Sequence, residues 1–362
     1  MMQEHEADIA AISRHGYQLL REQRIPEAED SFRKVLEKDP TNSYALVGLG
    51  DAARKRNDYE SAVGLYERCL ESDPGNTYAL FGLADSHKSL KHYAKAIEAW
   101  ELYLRQDDTN VTVLTRVADV CRKTKAHDRS RELYQKVLRI EADNPYALIG
   151  LGHLHYDFRE YDQALEYWQR MHEIDGDKVD IRVLTSIGNC YRKLKRFKDG
   201  LPYFEDALNR ESGNFYALFG LADCYRGLNE PEQSLRFWNL ILDGDPTNKV
   251  ILTRAGDAHR VMGELDRAMT CYEKALSVEF DVYAVLGIAL INRRRGAPEE
   301  AVESLTTLIE RDPRNPRIYQ ELAQAYLQMD QREDALTILR DFKKTGVHNS
   351  YVDELIARIE GR

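Results

Sequence analysis

The sequence has little of what several classes of protein require. Its five cysteines include no Cys-x-x-Cys pair, which argues against a zinc ribbon or a thioredoxin-like redox motif. No run of about 18 apolar residues occurs, so we expect no transmembrane helix and no membrane insertion. The first residues are acidic and lack the apolar core of a secretory signal. Together these absences predict a cytoplasmic protein with reduced thiols.

The sequence also lacks a net positive charge. The formal net charge is −10, and acidic and basic residues are interleaved along the chain. Non-specific binding to nucleic acid or to an anionic membrane requires net or local positive charge. The charge balance therefore argues against both kinds of ligand and indicates a solvated surface.

Motifs of common enzyme classes are missing as well. The sequence contains no GxxxxGK(S/T), GxGxxG, HExxH or GxSxG motif. His153 and His155 form a His-x-His pair, but on a helix their side chains would point to different sides. His155 also occupies a core column of the repeat described below, which favours a packed histidine over a metal ligand. We therefore predict a protein that is not an enzyme, with no catalytic residue, no metal and no cofactor.

What the sequence does contain is one segment many times over. YALFGLAD occurs at 78–85 and again at 216–223, with near copies at 44–51 and 146–153. Aligned on the prolines that recur near the segment ends, the chain divides into ten repeats, eight of them with 34 residues. The predicted repeats are 9–42, 43–76, 77–110, 111–144, 145–180, 181–214, 215–248, 249–281, 282–315 and 316–349.

Three columns of this alignment describe a helical hairpin. Counted from the first residue of each repeat, position 8 is always glycine or alanine, position 20 is always small, and position 24 is aromatic in eight repeats. Positions 4, 7, 8 and 11 share one face of a first helix, and positions 20, 24 and 27 share one face of a second. Small residues at 8 and 20 let the two backbones approach, and the aromatic fills the space beside them. One hairpin cannot bury its own apolar face, so neighbouring hairpins must stack.

A longer period lies over the first. Repeats alternate between a YALxGL type and an LT(R/S) type, so the unit of duplication is a pair of repeats. The three tryptophans, Trp100, Trp168 and Trp238, all stand at position 24. Because this position belongs to the buried stripe, we interpret them as core residues and not as a ligand box.

The columns at positions 8, 20 and 24 resemble those of the tetratricopeptide repeat family over about residues 9–349. The resemblance implies an all-α fold, a right-handed α-solenoid superhelix of stacked helix-turn-helix repeats. Residues 1–8 would be an N-terminal extension, and 350–362 a C-terminal capping helix with apolar residues at helical spacing. The family's usual glycine between the two helices survives only at Gly263 and Gly296. Polar residues would make the other turns.

In this family the first helices line a concave groove, with positions 2, 5, 6, 9, 12 and 13 pointing into it. Here position 2 is often tyrosine, position 9 aspartate and position 12 arginine or lysine. Position 6 is glycine in the YALxGL repeats, which suggests room for a ligand backbone or for a neighbouring aromatic such as Tyr78. The predicted groove residues are Tyr78, Asp85, Arg116, Asp119, Arg122, Tyr146, Asn189, Arg192, Tyr216, Asp223, Arg226, Arg254, Asp257 and Arg260.

The recurring Asp-x-x-Arg/Lys pattern has two interpretations. The first is an ion pair within one helix, three residues apart, that serves only solubility. The second is a bipolar groove, in which aspartates accept from the backbone of an extended peptide and arginines donate to its carbonyls or carboxylates. Repetition at groove positions favours the second interpretation.

We therefore expect a scaffold or adaptor that binds a peptide or helix of a protein partner in the groove. The alternative is a self-associating, homo-oligomeric or convex-face assembly factor. An RNA-binding helical repeat is disfavoured because the aspartates would repel phosphate. Members that bind chaperone tails carry lysine at position 5, which never occurs here. The array of O-linked N-acetylglucosamine transferase carries asparagine notably at position 6, where this chain has mostly glycine or arginine. A regulatory array that resembles it is therefore a less favoured alternative.

Overall fold

A computed structural model describes residues 2–361, with the backbone alone for residues 2–8. The described residues form 21 α-helices and one short 3-10 helix, with no strand among them, so the predicted all-α fold is confirmed. Two compact units divide the chain, Met1–Lys178 and Val179–Arg362. The predicted extension at residues 1–8 lies outside the residues whose side chains are described.

The first unit contains five helical hairpins, each made of an odd-numbered and an even-numbered helix in contact. Every even-numbered helix of this unit except the last also packs against the first helix of the following hairpin. The helices are α1 Met2–Arg21, α2 Ile25–Lys38, α3 Ser43–Lys55, α4 Tyr59–Ser72, α5 Thr77–Ser89, α6 Tyr93–Leu104, α7 Val111–Lys123, α8 His127–Ile140, α9 Pro145–Asp157 and α10 Tyr161–Asp175. The 3-10 helix Gly176–Lys178 ends this unit.

The second unit repeats this organisation with five more hairpins and one additional helix. Its helices are α11 Ile181–Lys193, α12 Phe197–Arg210, α13 Phe215–Gly227, α14 Pro231–Gly244, α15 Lys249–Val261, α16 Leu265–Val278, α17 Val282–Arg294, α18 Pro298–Arg311, α19 Pro316–Gln328, α20 Arg332–Lys344 and α21 Ser350–Glu360. The buried face of α21, with Val352, Leu355 and Ile359, packs against Leu339 and Phe342 of α20. This helix therefore covers the last hairpin, and residue 362 lies outside the described part of the chain.

An asparagine or aspartate begins nearly every first helix. The side-chain oxygen of Asn76 accepts a hydrogen bond from the Ala79 N–H at 3.0 Å, and Asn214 caps α13 in the same way through Ala217. Such a cap satisfies one backbone donor that the helix itself leaves unpaired, and losing it costs about 1 kcal/mol. The sequence therefore marks the start of each hairpin with a chemical signal as well as with a period.

The turn inside each hairpin adopts the left-handed conformation at position 15. Eight of these residues are not glycine and still have φ near +60°. They are Gln23, Asn57, Lys91, Lys125, Arg159, Lys195, Asn229 and Asp330. Gly263 and Gly296 occupy the same position with φ of +82°. A side chain in this conformation costs about 1 kcal/mol, so eight turns carry a local strain that the packed helices offset.

Each aromatic ring at position 24 is held between two repeats. Tyr66 is fully buried, with Gly50 of its own repeat on one side and Gly82 of the next repeat on the other. A Cβ atom on Gly82 would lie 2.3 Å from the Tyr66 Cζ, and one on Gly50 would lie 2.6 Å from its Cε1. The glycine at position 6 therefore makes room for the ring of the preceding repeat. The expected aromatic, Tyr78, is instead 77% exposed.

The same contact accounts for the longer period. Position 6 is glycine wherever the preceding repeat has phenylalanine or tyrosine at position 24, as with Phe204 and Gly220. After a tryptophan, position 6 carries a side chain instead, for example Arg116 after Trp100. The three tryptophans are buried, as predicted. The repeat types therefore alternate with the ring at position 24. A phenylalanine or tyrosine ring packs against glycine at position 6 of the next first helix, whereas a tryptophan is followed by a residue with a side chain.

Candidate functional site

We call the side chains at positions 2, 5, 6, 9 and 12 of the first helices the inner surface of each unit. Several neighbouring first helices pack against one another, as α3 does with α5 and α11 with α13. Because of these contacts, polar side chains of one repeat reach those of the next. The predicted site residues lie on both inner surfaces, six in the first unit and eight in the second.

Asp85 is the most enclosed carboxylate of the first inner surface, with 8% of its side chain exposed. Its Oδ2 accepts a hydrogen bond from Arg54 Nη2 of the preceding repeat at 2.8 Å. Its Oδ1 accepts one from Arg116 Nη1 of the following repeat, also at 2.8 Å. The Arg116 guanidinium lies over the Phe81 ring, 5.0 Å from its centroid. Three successive repeats are therefore joined through one buried carboxylate.

The other predicted residues of the first unit are more accessible. Asp119 pairs with Arg122 at 3.6 Å, within one helix, and Arg122 also reaches Asp157 at 3.5 Å. Tyr78 and Tyr146 are 77% and 72% exposed. Two large aromatic side chains thus project into solvent at equivalent positions of different repeats.

Asp223 has a similar role in the second unit. Its Oδ2 accepts a hydrogen bond from Arg192 Nη1 at 2.7 Å, again from the preceding repeat. Its Oδ1 accepts from both Nε and Nη2 of Arg226, at 2.9 and 2.7 Å. Arg192 also donates to the Asn189 Oδ1 at 3.1 Å. Four of the predicted residues therefore form one network of hydrogen bonds.

The remaining residues of the second unit differ in their bonding. Asp257 accepts a hydrogen bond from the Tyr272 hydroxyl at 2.9 Å and contacts Arg260 at 3.5 Å. Tyr216 is 68% exposed. Arg254 is half-buried and forms no hydrogen bond or ion pair with any residue in the described part of the chain. Among the predicted arginines it is the exception.

Neither interpretation of the Asp-x-x-Arg pattern included hydrogen bonds between an arginine of one repeat and an aspartate of the next repeat. Ion pairs within a helix do occur, such as Arg226 with Asp223. The bonds of Arg54 and Arg192 to the aspartates of the next repeat were not foreseen, because their register depends on how first helices pack. These bonds occupy the buried carboxylates, which leaves the surrounding cations as the accessible groups.

The electrostatic surroundings of these groups are reflected in their pKa values. Burial raises the pKa of the Asp223 carboxyl, but hydrogen bonds and positive charge from Arg226 and Arg192 outweigh it, and the net pKa is lowered. Burial lowers the pKa of the Lys88 ammonium, and the charge of Arg116 lowers it further. Lys123 also lowers it, while Asp119 and Asp85 act in the opposite direction, so burial is the main cause of the lowered pKa.

A cavity of about 750 Å³ opens on the inner surface of the first unit. Five cationic side chains and two carboxylates line it. One of those carboxylates, Asp85, is already paired with Arg54 and Arg116. Tyr17, Leu20 and Tyr59 supply an apolar part of the wall. The charged lining residues are Arg21, Arg54, Lys55, Lys88, Arg116, Asp51 and Asp85.

Four of those cations are missing from the predicted set: Arg21, Arg54, Lys55 and Lys88. Their signal is present in the sequence, since they stand at positions 12 and 13 of the first three repeats. Counting the lysines and arginines at positions 12 and 13 of every repeat would have added them to the predicted set. That they surround a single cavity depends on packing between repeats.

Two classes of feature are not observed among residues 2–361. None of the helices there combines the length and the hydropathy needed to cross a bilayer. Nor do three or more His, Cys, Asp or Glu side chains of that region come together as a set of metal ligands.

Stacked helical hairpins of this kind define the class of helical repeat proteins. Two sequence models described as Tetratricopeptide repeat match most of the chain, one at residues 14–77, 47–111, 81–147, 186–249 and 253–316, and the other at 293–359. The chain belongs to the tetratricopeptide repeat family. Proteins with this fold generally act as scaffolds for protein–protein interaction and are typically not catalytic. No curated protein matches the sequence.

Solved structures show the same fold at low sequence identity. The C-terminal part of a repeat-containing protein from Cytophaga hutchinsonii is 16% identical, with a TM-score of 0.57, over 67% of this chain and 98% of that one. PilF of Pseudomonas aeruginosa is 20% identical, with a TM-score of 0.51, over 59% of this chain and 96% of that one. A tetratricopeptide repeat protein from Parabacteroides merdae is 15% identical, with a TM-score of 0.50, over 78% and 98%.

Proposed function

We propose that this protein is a non-catalytic scaffold that binds an acidic segment of a partner protein in the cavity of its first unit. The observation that carries the proposal is the charge of that cavity. Its lining has five cations against two carboxylates, on a chain whose formal net charge is −10. A positive concavity on a negative protein attracts and orients an anionic ligand.

The accessible cations strengthen this reasoning. Arg54 and Arg116 are bonded to Asp85. By contrast, Arg21, Lys55 and Lys88 form no ion pair with other described residues. Carboxylates of a bound segment would supply the partners that these side chains lack.

A protein segment fits the cavity better than a nucleic acid does. Outside the cavity, the negative charge of the chain would repel a continuous phosphate backbone. Within it, Tyr17, Tyr59 and Leu20 offer apolar contacts to side chains that flank the carboxylates. Protein binding is also the general role of the family.

Direct binding to a chemically defined probe tests the proposal. Fluorescein-labelled octaglutamate would be titrated with the full chain and followed by fluorescence anisotropy, with octaglutamine as the uncharged control. The Lys55→Glu/Lys88→Glu variant should lose about ten-fold or more in affinity, since two contacts of up to about 1 kcal/mol each become repulsive.

A matched variant separates site from overall charge. Lys198→Glu/Lys274→Glu makes the same change of charge on exposed lysines of α12 and α16, outside the cavity. Its affinity should remain within about two-fold of wild type, because distant exposed charges are screened. Equal losses in both variants, or no binding of octaglutamate, would reject the proposal. Tighter binding of oligouridylate than of octaglutamate would instead favour the RNA alternative.

A further inference from the structure

Five inner-surface residues of the first unit recur in the second unit in the same order. Tyr78, Phe81 and Asp85 of the first unit recur as Tyr216, Phe219 and Asp223, and Arg54 and Arg116 recur as Arg192 and Arg254. The same number of positions separates the members of every pair. A difference in bonding between the two sets is therefore informative, since most of the framework is unchanged.

That difference originates at position 12. The third repeat has Lys88 there, and its counterpart in the seventh repeat is Arg226. In the first unit, the Oδ1 of Asp85 accepts a hydrogen bond from Arg116. In the second unit, Arg226 places two nitrogens on the Oδ1 of Asp223, at 2.9 and 2.7 Å. Arg226 therefore occupies the Oδ1 of Asp223, whereas the equivalent oxygen of Asp85 is free of Lys88 and binds Arg116 of the following repeat.

Arg254 is the residue displaced by this exchange. It is half-buried on α15 and has no hydrogen bond or ion pair with the described residues, whereas Arg116 has Asp85. A guanidinium that is partly shielded from water and lacks a counterion favours a carboxylate, which it can hold with two parallel hydrogen bonds.

Apolar side chains at or next to position 2 of the seventh and eighth repeats are exposed near the start of their first helices. Val250 precedes it by four residues and therefore lies on the same face of α15, with 50% of its surface exposed. Phe215 and Tyr216 of the preceding repeat are 44% and 68% exposed, with ring centroids 5.9 Å apart. An exposed β-branched side chain on the same face as Arg254, with an exposed aromatic pair on the preceding first helix, suits a segment that combines an apolar residue with an acidic one.

We propose that Arg254 binds an aspartate or glutamate carboxylate of a partner segment, whose adjacent apolar side chain packs on Val250 and Phe215. This inference rests on the proposed function in that the ligand is again an acidic protein segment. It adds a second site, in the second unit, that requires one carboxylate next to an apolar residue and not a dense run of negative charge.

Chemical footprinting of arginine tests whether Arg254 is accessible and binds such a segment. The full chain would be treated with phenylglyoxal, and modification at each arginine followed by mass spectrometry. Arg254 should react several-fold faster than Arg116, its ion-paired counterpart. The capped peptide acetyl-Leu-Leu-Glu-amide should protect Arg254, and acetyl-Leu-Leu-Gln-amide should not. Equal rates at the two arginines, or equal protection by both peptides, would overturn the inference.

Replacing Arg254 then tests whether the glutamate peptide binds through this side chain. Because Arg254 holds no described ion pair, Arg254→Gln should fold like wild type, which circular dichroism checks. It should weaken binding of the glutamate peptide about ten-fold and leave that of the glutamine peptide unchanged, as expected for one lost charge-assisted bond. An unchanged affinity for the glutamate peptide would count against the site.

The two proposals fail in different ways. If Lys55→Glu/Lys88→Glu abolishes octaglutamate binding while Arg254 is never protected, the second site is wrong and the first stands. If Arg254 is protected in that variant as in wild type while octaglutamate fails to bind the wild-type chain, the cavity is wrong and the second site stands.

Discussion

Replacing Gly82 with alanine isolates the contact on which the stacking of repeats depends. The added methyl would lie 2.3 Å from Cζ and 2.6 Å from Cε1 of Tyr66. Tyr66 cannot turn away easily, because its ring is fully buried and its hydroxyl donates to Asp51 at 2.7 Å. The methyl therefore has to displace either the ring or the whole of α5.

Opposing effects determine the expected magnitude. Overpacking a well-filled core by one methyl group costs about 1–3 kcal/mol. Replacing glycine by alanine inside a helix contributes about 1 kcal/mol in the other direction. We therefore expect Gly82→Ala to lower the free energy of unfolding by about 1 kcal/mol.

Gly64→Ala is the matched control. Gly64 lies in α4 and is exposed, and a methyl group added there would meet no heavy atom within 4 Å. That variant should gain about 1 kcal/mol, so the two substitutions should differ by about 2 kcal/mol. Since repeat arrays can unfold in parts, urea denaturation would be accompanied by hydrogen exchange of peptides from α4 and α5.

A stabilisation by Gly82→Ala as large as that by Gly64→Ala would refute the explanation given for position 6. A double-mutant cycle adds a second test. In a Tyr66→Leu background the shorter side chain no longer reaches Gly82, so Gly82→Ala should become neutral or stabilising. An unchanged penalty would place the cause outside the ring.

Three further outcomes are expected. Lys195→Gly should raise the free energy of unfolding by about 0.5–1 kcal/mol in urea titrations, because Lys195 has φ of +59° and glycine adopts this without strain; no gain would contradict it. Asp223→Asn should be destabilising at pH 7. Because Arg226 and Arg192 lower the pKa of Asp223 despite its burial, its contribution is present above about pH 4 and is lost as the pH falls through the folded-state pKa. The free energies of unfolding of wild type and Asp223→Asn should therefore converge as the pH falls. A difference between them that does not change with pH would be inconsistent with this account. Burial raises the pKa of Cys224 to about 12, so its thiol should react with Ellman's reagent only on unfolding. Because Cys271 is partly exposed, labelling would be assigned by mass spectrometry, and fast labelling at Cys224 in the native protein would contradict the packing.

The candidate site could be predicted only in part from the sequence. Recurrence of aspartate at position 9 and arginine at position 12 directed attention to the inner surface. It did not distinguish Asp85, whose oxygens are already occupied, from Arg254, whose guanidinium is not. Arg254 and Arg116 hold the same position in corresponding repeats, so the sequence pattern does not show that only Arg116 is paired. Which members are bonded depends on a Lys-to-Arg difference in a neighbouring repeat and on side-chain reach across helices.

The hairpins themselves were determined by the sequence alone. Small residues at positions 8 and 20 and a capping asparagine such as Asn76 act within one repeat, and the aromatic at 24 packs on position 8 of its own repeat, so a period in the sequence records them directly. Contacts between repeats are different. The fit of Tyr66 against Gly82, and the bond from Arg54 to Asp85, depend on how far one helix is shifted and rotated against the next. That register results from close packing of many side chains at once, and only the tertiary structure decides it.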